Sequence, residues 1–404
     1  VRIVHTADWH LCDRLGRIDR TDDLHNRVER VAQICQEREA DALLIAGDIF
    51  SKQASVEDMT RSLKRIRELF APFFARGGTI LALTGNHDHD GRINMVHTGM
   101  TLAVPDAGRD GQLGGGRMYL VNGRALTTLA GANGNRVQFA FVPYPFPGRY
   151  DLTAADYRTK EEESRLLHGR VAEWLQSLSQ RPGFKPQLPT VLAAHLHVRG
   201  SEMHSLYHLT EREDVIFDLA DLNPNWAYVA LGHIHKPQTI HGQANARYCG
   251  SLDRLDFGET HDDHGVFIVE VGKTGLAREP EHLPIPATPF HKVTISDPAA
   301  ELAALADRYP DREAAIFSVS VEPSVSGDSR DEIARHIRSV FPRLFELKWA
   351  ETAPENRTSA CDFTPQADFA STVRDYLEKR LGDDPDKQMV LALADEFLRV
   401  EAVS

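Results

Sequence analysis

The chain has 404 residues, 46 Lys and Arg against 59 Asp and Glu, and a net charge of −13. That length predicts two or three domains with an ample core. It excludes a small disulfide-stapled module, because Cys12, Cys35, Cys249 and Cys361 are too scattered to form a framework. No apolar stretch reaches a membrane span and the first residues enter a strand without a signal pattern, so the expectation is a cytoplasmic chain with no membrane partner.

In chain order, a β-prone run at 2–7 ends on Asp8-Trp9-His10. Residues 23–38 then repeat apolar positions at Leu24, Val28, Val31 and Cys35, which predicts an amphipathic helix. The run 42–46 leads to Gly47-Asp48, and Ser55-Val56-Glu57-Asp58 reads as a capping box opening a helix to about 74, with Met59, Leu63, Ile66 and Phe70 inward. Arg61, Lys64, Arg65 and Arg67 on that helix read as a solvated face. The run 79–84 delivers Gly85-Asn86-His87-Asp88. The Gly-rich segment 108–116 lacks the Lys-Ser/Thr of a phosphate loop and reads as a hairpin turn. A long charged helix outside the sheet is expected over 155–179, a strand over 190–194 ending at His195, and a strand over 226–231 ending at Gly232-His233-Ile234-His235. Between these last two strands, 200–225 is a long connection without a period, of the kind that shapes substrate access.

Near-continuous apolar strands predict a sheet covered on both faces, and ligands gather at the carboxyl ends of such strands. Any one of these motifs is what chance supplies in a chain with 19 histidines; five in order, each at a strand end, imply a two-metal hydrolase. Two divalent ions clamp the attacking and leaving oxygens of a phosphoryl displacement, with Asp48 the candidate bridge between them. Imidazoles, one carboxamide and two carboxylates suit Mn²⁺, Zn²⁺ or Fe²⁺ better than Mg²⁺, and the lack of Cys ligands argues against structural zinc.

Pro280, Pro284, Pro286 and Pro289 punctuate a domain boundary. Beyond it, strand and helix signals alternate at 291–296, 299–308, 314–321, 332–340 and 344–349, a small α+β module. Thr364-Pro365 and Asp384-Pro385 are helix starts. They are followed by stripes of Phe369, Val373, Tyr376 or Leu377, and Leu381, then Met389, Leu393, Phe397 and Val400, which need a surface to dock on. Residues 351–404 hold 12 acidic and 6 basic residues, nearly half of the net charge. The rest of the chain is therefore less hostile to a polyanion than the total suggests.

The motif series resembles the calcineurin-like metallophosphoesterases. Within them it is similar to the SbcD nuclease family, bacterial counterparts of the Mre nucleases, on segments 5–11, 46–50, 83–88, 230–235 and 248–259. The resemblance implies an α/β fold, a β-sandwich flanked by helices over 1–285. It further implies a capping domain over 290–350 and a C-terminal helical pair over 362–404 that docks on the SbcC ATPase. It implies Asp8, His10, Asp48 and His235 around one Mn²⁺ or other divalent ion, and Asp48, Asn86, His195 and His233 around a second. His87 would protonate the departing sugar oxygen, and Asp88 either orients His87 or caps the next helix. The implied activity is 3′-to-5′ trimming of duplex DNA ends and endonucleolytic cutting of single strands or hairpins, by a homodimer on the nucleoid. The alternatives are a phosphodiesterase or phosphatase acting on small nucleotides or phosphoproteins, and an architectural adaptor. Two positions depart from the family: Ser51 stands where a proton-shuttling His is expected, and Cys12, read as a packing residue, replaces a Gly.

Overall fold

Strands with apolar side chains on both faces need two covers. The computed structural model describes residues 1–88, 91–103, 112–203, 214–222, 225–240, 242–322, 330–350, 374, 377–378 and 387–401, with 1–350 forming one compact unit and 351–404 another. In the first unit the parallel neighbours Arg2–Thr6, Ala42–Ala46, Thr79–Leu83 and Met118–Val121 lie side by side, and Gly265–Gly272 pairs antiparallel to Arg2–Thr6. A second sheet carries Ala246–Tyr248, Tyr228–Gly232, Thr190–His195 and Arg136–Val142 in parallel, with antiparallel Ala125–Ala130 beside them.

The two-residue period of a strand sorts the covers. Ile3, Ala42, Leu44, Leu81 and Leu83 face the other sheet, where they meet Phe139, Phe141, Val191, Ala193 and Ala230 in a sandwich core. Val4, Leu43, Ile45, Ile80 and Ala82 point the opposite way, onto Leu24, Val28 and Val31 of the helix Thr21–Glu37 and Met59 and Ile66 of the helix Val56–Leu69. The outer face of the second sheet is covered by Leu167, Val171, Trp174 and Leu175 of the helix Lys160–Gln176. Helix, sheet, sheet, helix is the layering, and it brings the carboxyl ends of both parallel sets to one rim.

The expected capping box is present in full: Ser55 accepts from the Asp58 backbone N–H while the Asp58 side chain accepts from the Ser55 backbone N–H. The single helix expected to about 74 is instead Val56–Leu69 followed by Ala71–Ala75, broken where Pro72 enters at the start of the second piece. The turn expected at 108–116 falls partly outside the described residues, as does most of the connection 200–225. Among the described residues, no helix is long and apolar enough to cross a membrane.

The described residues of 290–350 hold a parallel three-stranded sheet, Phe290–Ile295, Ile316–Val321 and Leu344–Trp349, covered by Ile333 and Ile337 of the helix Arg330–Val340 and by Phe341 just after it. This module rests on the sandwich through Phe257, whose ring lies 4.8 Å from Phe290 and 5.6 Å from Phe345, and through Arg343, which pairs with Asp23. Beneath that contact Asp253, fully buried, accepts from Arg20 at 3.2 Å, Arg27 at 3.3 Å and the Thr288 hydroxyl at 2.6 Å. The last strand of the first sheet, Glu281–Pro284, ends inside the proline-punctuated stretch.

In the second unit the helix Lys387–Glu401 holds Met389 and Leu393 exposed and Leu391 buried. The first expected tail helix lies outside the described residues except for the helical positions Arg374, Leu377 and Glu378.

Candidate metal centre

The rim is made of tight turns that leave their strands abruptly. Of seven non-glycine residues with positive φ among the described residues, four are expected ligands: Asp8, His10, Asp48 and His233. L-residues avoid this region, and such strain gathers at functional sites. The first two turns are zipped together by the Asp8 N–H to Gly47 O at 3.0 Å and the His10 N–H to Asp48 O at 3.0 Å. Two glycines are required sterically: a Cβ on Gly47 would lie 2.0 Å from His195 Nδ1, and one on Gly85 would lie 2.1 Å from Asp48 Oδ1.

All seven residues expected to bind metal meet here. Asp8, His10 and His235 offer ligand atoms within 4.8 Å of one another, as do Asp8, Asp48 and His195. His195 Nε2 stands 3.3 Å from Asp48 Oδ2 and 2.9 Å from Asn86 Oδ1, and His233 Nδ1 stands 3.1 Å from the same Asn86 oxygen.

The hydrogen bonds on the far side of each ring decide what these atoms can do. His195 Nδ1 lies 2.8 Å from the Ala46 carbonyl, which can only accept, so the ring carries its proton there and turns the Nε2 lone pair inward. His233 Nε2 donates to Asp214 at 2.8 Å, leaving the Nδ1 lone pair inward, and His235 Nδ1 donates to Glu259 at 2.7 Å, leaving Nε2. His10 Nε2 is buried without a hydrogen-bond partner, 3.6 Å from Asp48 Oδ2. Imidazole nitrogens, a carboxamide oxygen and two buried carboxylates thus converge on one space, with the backbone N–H groups of His233 and His87 reaching Asp8 and Asp48. Such a donor set suits divalent cations. Burial disfavours a charged ring, yet Asp48 and Asp8 bring His195 up to about 9 and Glu259 does the same for His235, so without cations both rings hold a second proton at neutral pH, and a bound ion takes that proton's place. Burial pushes the Asp8 carboxyl up. The donor set fits a pair of divalent ions.

His87 lines the same cleft, a space of about 330 Å³ bounded also by Asp13, Arg14, Ser51, Lys52, Gln53 and Met203. Its backbone N–H donates to Asp48 Oδ1 at 2.8 Å, its ring stands edge-on to His10 at 4.7 Å, and its Nδ1 has no partner. The Asp88 carboxylate accepts the backbone N–H groups of Ile49 at 2.9 Å, Phe50 at 3.1 Å and Gly85 at 3.1 Å, so among the described residues it ties the second and third turns together instead of orienting His87; the start of the next helix, which it was expected to cap, lies outside the described residues. Burial, then the nearby Asp48, lifts Asp88 to about 6. Cys12 turns its thiol to Ser62 at 3.2 Å, and burial pushes that thiol up, consistent with packing. Ser51 donates to Asp13 at 2.8 Å.

Two further carboxylates stand behind the ligands without having been expected there. Glu259 closes segment 248–259, which carries the resemblance, so a signal for it exists in the sequence. Asp214 sits in the aperiodic connection before the short strand Ile216–Phe217, where nothing local marks it.

The chain is 28% identical to the SbcD subunit of the nuclease SbcCD from Rhodobacter capsulatus, over 77% of each chain. It is 24% identical to the Bacillus subtilis protein of the same name, over 96% of each. It is 26% identical to the DNA double-strand break repair protein Mre11 of Aeropyrum pernix, covering 73% of this chain and 63% of that one. Residues 1–237, more than half of the chain, match the calcineurin-like phosphoesterases, and the chain belongs to that family.

Proposed function

We propose that this chain is an SbcD-like DNA nuclease, hydrolysing phosphodiesters with two divalent ions, Mn²⁺ foremost. It trims duplex ends 3′ to 5′ and cuts single strands or hairpins. The observation that carries the reading is the convergence of Asp8, His10, Asp48, Asn86, His195, His233 and His235, supported by similarity to SbcD proteins along nearly the whole length of one of them. When bound, the ions supply Lewis-acid stabilisation of the charge that develops on the phosphoryl group.

The protein's own groups do the rest. Asp48 holds the centre of the cluster and is itself oriented by the His87 N–H. The His87 ring, with Nδ1 uncommitted, is the proton donor to the departing sugar oxygen. Arg14 and Lys52 at the cleft give a phosphate backbone its electrostatic purchase. The module 290–350, seated on Phe257 beside the cleft residues Leu255 and Asp256, caps the crevice and orients the duplex. Residues 362–404 dock on the SbcC ATPase, with exposed Met389 and Leu393 as part of the contact. The chain pairs with a second copy, works in the cytoplasm at the nucleoid, and has exposed Met95 and Leu102 on the helix Gly91–Ala103 available for such pairing.

The test is cleavage of end-labelled duplex and hairpin DNA with Mn²⁺, Mg²⁺ or chelator, beside a small phosphodiester. DNA products that require Mn²⁺ are expected; turnover of the small ester alone would replace this reading with a phosphoesterase of small nucleotides. Deleting residues 362–404 is expected to abolish ATPase association and leave metal-dependent cleavage intact.

A further inference from the structure

Asp214 is not among the ligands, yet it is the most heavily hydrogen-bonded side chain beside them. Its Oδ2 accepts from His233 Nε2 at 2.8 Å and from His197 Nδ1 at 3.0 Å, and its Oδ1 accepts from the Tyr144 hydroxyl at 2.9 Å and the Val215 N–H at 2.9 Å. It is 2% exposed. Each side-chain donor comes from a different part of the chain. Tyr144 follows the strand Arg136–Val142, His197 follows Thr190–His195, and His233 follows Tyr228–Gly232. The connection after residue 200 thus inserts an anion behind the second sheet's ligand turns. A carboxylate with four donors in fixed directions has one orientation available, and so has the imidazole it holds.

We infer that Asp214 is a positioning residue for the second metal: by fixing the proton of His233 on Nε2 it presents the Nδ1 lone pair to the ion shared with Asn86 and His195. The physical reason is direct. An imidazole free to carry its proton on either nitrogen offers the wrong one part of the time, and a neutral partner does less than an anion to make the ligating nitrogen basic. Glu259 stands in the same relation to His235 on the first metal's side, so each ion has one carboxylate-backed histidine, whereas His195 is backed only by the Ala46 carbonyl. The two metal affinities are therefore separately tuned from outside the ligand set, one from segment 248–259 and the other from the connection that carries Asp214.

His197, Asp214 and His233 also lie close enough to form a metal group of their own. The direct 2.8 Å and 3.0 Å contacts to one carboxylate oxygen favour hydrogen bonds over an ion between them.

This inference rests on the two-ion reading above, and one calorimetric titration of the full chain with Mn²⁺ separates their failures. The wild type is expected to bind two ions; binding none would sink the two-ion reading itself. Asp214→Asn keeps the volume and removes the charge, and is expected to weaken one ion by about 10- to 100-fold while the other holds. That loss should vanish in a His233→Ala background and persist in a His10→Ala background, and Tyr144→Phe should give a smaller loss at the same site. Melting in chelator distinguishes positioning from general damage: the variant should stay folded with both ions absent. Two unchanged affinities, equal weakening of both ions, or a third wild-type ion lost in Asp214→Asn would each overturn the assignment.

Discussion

Buried aspartates lie at two places within residues 1–350, the junction and the rim, and they differ in what supplies the positive charge. At the junction beneath the small module, Asp253 is answered by protein: Arg20, fully buried, and Arg27 both reach its Oδ2, and Arg20 also meets Asp23, which holds Arg343 of the module. At the rim, Asp8 and Asp48 face imidazole rings whose inward proton a cation can replace, with no Arg or Lys in the set. A buried carboxylate with arginine partners is finished architecture, and one ringed by imidazoles is half of a metal site.

Breaking the rim should abolish chemistry without dissolving the fold. Asp48→Ala removes the central carboxylate, and cleavage is expected to fall by about a thousandfold or more in gel assays, the scale of losing an electrostatic stabiliser of the transition state. His87→Leu should lower the rate by roughly 10²- to 10⁴-fold, the range for a lost proton donor, while Mn²⁺ titration still shows two ions. A wild-type rate in His87→Leu would remove that ring from the reaction.

Breaking the junction should do the reverse. Burial alone would raise Asp253, but Arg20, Arg27 and Thr288 hold it below the usual carboxylate range. Its contribution to stability is therefore complete above the unfolded carboxylate value, near 4, and is lost as the pH falls through its lower folded value. Asp253→Asn takes a carboxylate from buried Arg20, which keeps Asp23, and from partly exposed Arg27, and is expected to cost about 2–3 kcal/mol in urea unfolding at neutral pH. The wild-type and variant curves should approach one another in acid, and cleavage per folded molecule should stay within a few-fold of wild type. A variant that unfolds normally but cleaves poorly would mean the junction serves the crevice directly.

The same contrast explains what is legible in the sequence. The strands and the ligands are, because a strand buried on both faces is mostly apolar, so a carboxylate or imidazole at its end stands out: Asp48 after Ala42–Ala46, His195 at the end of Thr190–His195, and less sharply Asp8, since His5 and Thr6 are polar within Arg2–Thr6. Asp88 misleads because adjacency in sequence suggests His87 as its partner, whereas its carboxylate turns back to three backbone N–H groups of neighbouring turns. Asp214 is not legible at all, and Asp253, although it lies in segment 248–259, carries no mark of its partners. Their meaning comes from side-chain donors 17 to 70 residues away for Asp214, and from donors 35 to 233 residues away for Asp253, and no period or spacing encodes such meetings.

Ser51 joins the rim to a carboxylate that is neither ligand nor ion-paired architecture. Its hydroxyl donates to Asp13 at 2.8 Å, and both line the cleft with His10 and His87. Burial raises Asp13, and the Ser51 hydrogen bond opposes that rise. If the hydroxyl only satisfies a buried oxygen, Ser51→Ala costs about 1–2 kcal/mol in urea unfolding and leaves the cleavage rate within a few-fold. If the pair carries protons where related enzymes have an imidazole, the rate falls by tenfold or more with little change in stability. The first outcome is expected, because a serine hydroxyl neither gains nor loses a proton near neutral pH and its hydrogen is already committed to Asp13. Ser51→His, which restores the imidazole, would then be expected to raise cleavage only if a proton path through this position is open to substrate.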